Sequence, residues 1–215
     1  MPDKWTHSRE QVTFAILAGG ASVRMGKDKA ALPFMGEALI QRIVFRGQAL
    51  TDNFLVITNH PETYEFLQVP LARDLLSIKG PLVGLYTALS ASRTEYLILV
   101  GCDMPFINTT MLAYQLSILE HEPFDIAIPK HADGFEPLHS VYRRDICLDQ
   151  VETALEEGER SLIGWLKKVR VWEIPESSLR SFEPELKAFT NLNTPQDFQI
   201  AEKYEQSRLM AGPNG

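Results

Sequence analysis

Residues able to do chemistry concentrate in two places along the chain. The first is the stretch Leu17-Ala-Gly-Gly-Ala-Ser-Val-Arg-Met-Gly-Lys-Asp-Lys, in which Gly19 and Gly20 precede Ser22, Arg24, Lys27 and Lys29. Adjacent glycines let a backbone come close to a bulky anion with its amide N–H groups turned toward it. The serine, arginine and lysines add donors and positive charge, so the stretch reads as a cradle for a nucleotide triphosphate. The second place is Asp103, in Gly101-Cys-Asp-Met-Pro. A lone carboxylate suits Mg²⁺, which takes few protein ligands and leaves its other positions to phosphate oxygens and water. Alone, Asp103 reads more readily as a turn or cap residue; beside a phosphate loop it reads as the metal ligand.

These residues need elements to position them. Val12 to Leu17 is a short apolar run containing Val and Ile, the pattern of a buried strand that delivers the glycine loop at its end. The loop fits neither Gly-x-Gly-x-x-Gly nor Gly-x-x-x-x-Gly-Lys-Ser/Thr, because five residues separate Gly20 from Gly26. Asn53 to Thr58, Tyr96 to Val100 and Phe124 to Pro129 read as further strands, the middle one ending just before Asp103. Between them, Leu39, Ile40, Ile43, Val44 and Leu50 form a helical stripe, and Pro81 follows Gly80 in a helix's first turn. Asn108 or Thr109 can cap a helix with Leu112, Leu116 and Leu119 on one face. This alternation predicts an α/β fold with a mostly parallel central sheet. Ligands of such sheets collect outside the carboxyl ends of the strands, where the glycine loop and Asp103 both fall.

The order changes later in the chain. Leu138 to Tyr142 reads as an edge or antiparallel strand, Leu162, Trp165, Leu166 and Val169 as one face of a helix, and Val171 to Ile174 as a short strand. Ala188 to Leu192 is expected to be the last strand, with Thr194-Pro195 opening the last helix. No linker divides the chain. The expectation is one domain over residues 11–207, with a nucleotide-binding half at 11–107 and an acceptor-binding half at 108–207. Residues 1–10 and 208–215 read as flexible ends.

Composition sets limits. With 215 residues, 45% hydrophobic and 23% charged, the chain is long and apolar enough for a substantial core. A net charge of −7 argues against a duplex nucleic-acid binder. Cys102 and Cys147, the two cysteines, are too few for a disulfide framework, which points to a reducing cytoplasm. Neither has a partner at zinc-ligand spacing, and Cys102 reads as a small buried residue. The first ten residues lack a signal peptide's apolar core, and no run approaches the ~20 apolar residues of a membrane span.

The stretch Leu17 to Lys29 resembles the signature of nucleotidyltransferases with the glycosyltransferase-A-like fold, and most specifically that of the molybdenum cofactor guanylyltransferase (MobA) family. The resemblance continues through Gly80-Pro-Leu-Val-Gly, Gly101-Cys-Asp-Met-Pro-Phe-Ile, Glu136-Pro-Leu-His-Ser-Val-Tyr and Asn191-Leu-Asn-Thr-Pro, and so covers nearly the whole chain. It implies a three-layer α/β/α, Rossmann-like nucleotidyltransferase. It also implies transfer of GMP from GTP to the phosphate of molybdopterin, with or without molybdenum, releasing pyrophosphate. Mg²⁺, with Mn²⁺ as an alternative, would sit at Asp103. Arg24, Lys29 and Asp103 would be catalytic. Leu17, Ala18, Gly19, Gly20, Ser22 and Lys29 would contact the nucleotide from the first loop, and Asn59, Asp74, Gly80, Pro81 and Asp103 from later ones.

The family places Asp74 near the base or sugar, and a carboxylate can accept the N1–H and N2–H donors of guanine. A solvated loop acid at Asp74 and an ordinary turn residue at Asn59 are the competing readings. His139, Arg143, Asn191 and Asn193 are the acceptor-site candidates, drawn from a cluster that includes Lys130, His131 and Arg144. Alternate strand residues face opposite ways, so some of these must point elsewhere, and His139 reads more readily as structural. Asn193 or Thr194 is also good helix-cap material. A cytidylyltransferase acting on the same pterin, or a sugar-phosphate nucleotidyltransferase, would share the loop and the aspartate. Leu17-Ala-Gly-Gly resembles the guanylyl branch, whose cytidylyl relatives more often carry Leu-Ala-Ala-Gly. A non-catalytic nucleotide-binding escort is disfavoured by the intact Lys29 and Asp103. The family context implies transient contacts with proteins that deliver molybdopterin or receive the finished cofactor.

Overall fold

The computed structural model of the chain describes residues 9–19 and 31–211. After a 3₁₀ turn at Arg9–Gln11 comes β1 (Val12–Leu17), then a small hairpin of β2 (Pro33–Phe34) and β3 (Glu37–Ala38) that leads into α1 (Leu39–Gly47). There follow β4 (Phe54–Ile57), β5 (Leu71–Ala72), α2 (Pro81–Ala91), β6 (Tyr96–Gly101) and α3 (Thr109–His121). The second half holds β7 (Ile126–His131), β8 (Gly134–Phe135), β9 (His139–Arg143), α4 (Arg144–Glu156), β10 (Val171–Pro175), α5 (Glu176–Phe182) and α6 (Pro195–Ala211).

One eight-stranded sheet runs β10-β7-β9-β6-β1-β4-β5, with β8 paired to β7. The pairs β1–β4, β1–β6, β4–β5 and β10–β7 are parallel, while β9 runs antiparallel to both of its neighbours, β6 and β7. It is therefore internal, not an edge. Because β9 opposes both β6 and β7, those two point the same way. The carboxyl ends of β10, β7, β6, β1, β4 and β5 consequently open on one rim.

The side-chain period of two divides the apolar residues between two cores. Val12, Phe14 and Ile16 of β1 join Ile98 and Val100 of β6 under Ile40 and Ile43 of α1 and Leu112, Leu116 and Leu119 of α3. Ala15, Leu97 and Leu99 face the other way, onto Leu82, Leu85 and Leu89 of α2 and Val151 and Leu155 of α4. The result is a helix–sheet–helix sandwich. A third, smaller cluster of Phe34, Leu39, Phe106, Leu192 and Phe198 seats α6 against the hairpin and α1. Among the described residues no helix is long and apolar enough to cross a membrane. Cys102 and Cys147 are buried thiols, with no disulfide between them.

Two expected elements are absent. Residues 162–169 form turns and a 3₁₀ segment at Leu166–Lys168, not an α-helix. The Glu159 carboxylate accepts the N–H groups of Arg160 and Ser161 at 2.7 and 2.8 Å and winds the chain into turns. Trp165 is nonetheless wholly buried, its Nε1 donating to the Leu162 carbonyl at 3.0 Å. Residues 188–192 form no strand; a 3₁₀ turn at Lys187–Phe189 gives way to extended chain whose Leu192 N–H bonds a loop carbonyl. The helices α4 and α5 arise where the sequence pattern suggested none.

Candidate active site

The rim is built from the ends of β1, β4 and β6. The Ala18 N–H donates to the Ile57 carbonyl at 2.8 Å, and the Cys102 N–H donates to the Leu17 carbonyl at 3.1 Å. These two bonds carry the ladder one step past β1 and hold Ala18 and Gly19 between β4 and β6. Gly84 of α2 packs beneath, where an added Cβ would sit 3.2 Å from the Leu17 methyls. Among the described residues, a Cβ at Gly19 would meet nothing within 4 Å. Gly20, Ser22, Arg24, Lys27 and Lys29 lie outside the described residues.

Asp103 stands two residues beyond β6, half-buried, with its carboxylate folded over Gly101: an added Cβ there would lie 2.8 Å from Oδ1. The loop that carries it is held from several sides. Leu192 N–H donates to the Asp103 carbonyl at 2.9 Å, Arg42 Nε to Pro105 O at 3.4 Å, and Arg46 Nη1 to Ile107 O at 3.1 Å. Arg42 also pairs with Glu205 of α6, which binds Arg208 as well. Burial pulls the Glu205 carboxyl upward, but the two guanidiniums outweigh it and hold it below the usual carboxylate range.

His139 closes the far side of this loop. Its Nε2 accepts the Asn108 N–H at 3.1 Å, while the Asn108 side chain caps α3 through Met111 N–H at 2.9 Å. The ring is wholly buried, and that burial lowers its pKa to about 4, leaving a neutral imidazole at neutral pH. Of the two readings of His139, acceptor contact and structural support, its burial and its bond to Asn108 fit the structural one, a ring that holds the Asp103 loop. Arg143, another of the acceptor-site candidates, is not brought to this loop. The antiparallel course of β9 puts it opposite Tyr96, at the start of β6 and the rim remote from Asp103. There its guanidinium binds Glu95 at 2.7 Å and lies 5.2 Å from the Tyr96 ring centre.

Asn59 and Asp74, fifteen residues apart, are brought together past β4 and β5. Asn59 Nδ2 donates to Asp74 Oδ2 at 2.8 Å, and the Asp74 N–H returns to Asn59 Oδ1 at 3.2 Å. Leu75 N–H then bonds Thr87 Oγ1 of α2 at 3.0 Å. Gly80 has φ +145°, which glycine adopts without strain, and an added Cβ would lie 2.9 Å from that of Arg160. Pro81 opens α2, and Leu82 N–H bonds the Arg160 carbonyl at 3.1 Å. Arg160 is thus a support of the site that sequence reading missed; nothing local in Gly158-Glu159-Arg160 announces its contact with residue 80.

Asn191 and Asn193 are both exposed and flank buried Leu192, so they share a face as their alternation predicts. The Leu192–Asp103 bond sets them beside the Asp103 loop. The cap of α6 falls to Thr194, whose Oγ1 accepts Asp197 N–H at 3.2 Å while Asp197 Oδ2 accepts Thr194 N–H at 2.7 Å. The described rim therefore joins the exposed Gly19, a carboxylate over a vacant Cβ position, an amide–carboxylate pair and two exposed asparagines.

The chain is similar to known proteins in sequence and in fold. Residues 14–170 match the family described as the MobA-like NTP transferase domain. A molybdenum cofactor guanylyltransferase of Syntrophotalea carbinolica is 35% identical over 184 residues, covering 86% of this chain and 87% of its own. Another, of Desulfosudis oleivorans, is 32% identical over 194 residues, covering 90% and 95%. The crystal structure of molybdopterin-guanine dinucleotide biosynthesis protein A from Archaeoglobus fulgidus superimposes with a TM-score of 0.77 at 28% identity, covering 91% of this chain and 99% of that one.

Proposed function

The chain belongs to the MobA-like NTP transferase family, a family of nucleotidyltransferases, and from that premise we propose that it transfers GMP from GTP to the terminal phosphate of molybdopterin, releasing pyrophosphate. The observation that carries the reading is the placement of Asp103 beside the end of β1, where the glycine loop begins. An acceptor phosphate oxygen attacks the α-phosphorus of GTP, and the bond from that phosphorus to the pyrophosphate oxygen breaks. A phosphate monoester has a second pKa of about 6 and is largely dianionic at neutral pH, so no side-chain base is needed. The protein's tasks are alignment and neutralisation of charge.

Arg24 and Lys29 supply positive charge from the glycine loop. Asn59 orients Asp74, whose carboxylate accepts the guanine N1–H and N2–H donors. Asn191 and Asn193 stand on the acceptor side. Asp103 would hold Mg²⁺, and the fit is good: the empty Cβ position of Gly101 leaves its carboxylate room. Mg²⁺ takes most of its ligands from phosphates and water, so one carboxylate is enough to anchor it. When bound, Mg²⁺ would neutralise phosphate charge. The two buried thiols accord with a cytoplasmic setting, which belongs to the same reading.

Incubating the protein with each NTP, Mg²⁺ and molybdopterin, and weighing the product, tests the proposal. The expected product is the guanine dinucleotide with equimolar pyrophosphate; a cytosine dinucleotide would overturn the base assignment. Asp103→Asn should melt like the wild type and lose transfer, and near-wild-type turnover would remove Asp103 from the mechanism.

A further inference from the structure

A histidine–carboxylate pair at the rim is not used by the reading above. His131 ends β7, which runs the same way as β6, so it emerges at the Asp103 end of the sheet. β8 turns back, and residues 136–138 lead into β9, where the Leu138 carbonyl accepts the Gly101 N–H at 3.3 Å. His131 Nε2 and Glu136 Oε1 are 2.8 Å apart. On its other side the His131 Nδ1 accepts the Asp133 N–H at 3.2 Å, so Nε2 is the donor to Glu136.

The two side chains are 11% and 21% exposed, reachable from outside yet largely removed from water. That removal holds the Glu136 carboxyl above its usual range. The Phe189 ring stacks on His131 at 5.3 Å and 25°, and meets His139 edge-on at 5.3 Å. Three residues later Leu192 bonds the Asp103 carbonyl. A continuous arc of protein thus runs from Glu136 past Phe189 and Asn191 to the Asp103 loop.

We propose that Glu136, oriented by His131 and flanked by Phe189, is the subsite for the acceptor's heterocycle, accepting the adjacent N–H donors of its 2-amino-4-oxopyrimidine edge. This rests on the guanylyl-transfer reading and deepens its acceptor side. A carboxylate with one oxygen engaged by an imidazole keeps its direction, and its acceptor-only chemistry matches a donor–donor edge. Phe189, stacked on His131, holds that imidazole in the plane from which it directs the carboxylate. Guanine presents the same edge, so the chain would read two alike edges with two carboxylates, Asp74 for the nucleotide and Glu136 for the acceptor.

Free pterin and lumazine, its analogue with oxygen in place of the 2-amino group, separate the outcomes. The wild type should bind pterin more tightly than lumazine by fluorescence titration. In Glu136→Gln that preference should vanish and KM for molybdopterin rise at least about tenfold, the loss of a charge-assisted hydrogen bond. Its GTP affinity by calorimetry and its kcat should stay within about twofold of the wild type. His131→Ala should raise the same KM, since it orients the carboxylate. Equal binding of pterin and lumazine by the wild type overturns the proposal without any variant, as does an unchanged molybdopterin KM in Glu136→Gln. A wild type that makes no guanine dinucleotide defeats the parent reading instead, a failure visible without Glu136.

Discussion

Replacing Gly101 by alanine removes no chemical group and should still slow the enzyme. The backbone there is outside the left-handed region, the described glycines with positive φ being Gly36, Gly80, Gly134 and Gly158. An added Cβ would sit 2.8 Å from Asp103 Oδ1 and 3.3 Å from Met104 Sδ. Ordinary contact begins at 3.4 Å, so the carboxylate must retreat by about 0.6 Å, which it does by turning its own flexible side chain. Alanine in a strand recovers about 0.5–1 kcal/mol over glycine, set against the crowding of Met104. Net stability should therefore stay within about 1 kcal/mol. Catalysis is less tolerant: a misplacement of about 1 Å can cost about 100-fold, so roughly half of that should cost about tenfold in kcat. Pyrophosphate release at saturating GTP and molybdopterin, measured across a Mg²⁺ titration, should show lower turnover and a higher Mg²⁺ requirement. Denaturant midpoints would confirm an intact fold. Wild-type turnover at wild-type Mg²⁺ would refute the placement of Asp103 at the reacting phosphates.

Other perturbations probe separate parts. Lys29→Ala should weaken GTP binding by at least about tenfold in calorimetry, and an unchanged affinity would count against the glycine loop as a triphosphate cradle. Asp74→Ala should cut the GTP-over-CTP ratio of kcat/KM by about tenfold; a preserved ratio would mean that the base is read elsewhere. His139 ties stability to pH, because its pKa is about 4 in the fold against 6.5 for an ordinary histidine. As pH falls through 6.5 the unfolded chain takes up a proton that the folded one refuses until about 4, so stability drops across that window by roughly 3 kcal/mol. Chemical denaturation at pH 7 and 4.5 should show a smaller drop in His139→Gln than in the wild type, and equal slopes would exclude His139 as the source.

Much of the frame was legible because its signals are local. β1, β4 and β6 are short apolar runs, Pro81 does start α2, and Asn108 does cap α3. The misreadings share a cause. Leu162, Trp165, Leu166 and Val169 have helical spacing, yet they are brought to the core by turns fixed through Glu159. Ala188 and Leu192 looked like strand residues, but Leu192 spends its N–H on Asp103, 89 positions away in the chain. In the candidate site, the place of Asp103 just past β6 and the shared exposed face of Asn191 and Asn193 were legible from motif and alternation, and His139 packs as the structural residue its strand position suggested. The place of Arg143 was not legible, because its rim depends on the direction of β9. The Asn59–Asp74 pair and the Gly80–Arg160 contact join segments that carry no shared pattern.

The support beneath Asp103 has a consequence for the order in which the protein matures. Every strand of the sheet lies before residue 176, whereas the bond to the Asp103 carbonyl comes from Leu192 and the carboxylate that pins Arg42 comes from Glu205. Synthesis proceeds from the N-terminus, so the sheet can close while those two residues are still unmade. If the chemistry is at Asp103 as proposed, competence then trails architecture: a nascent chain with every described strand paired still lacks two supports of the Asp103 loop until α6 arrives.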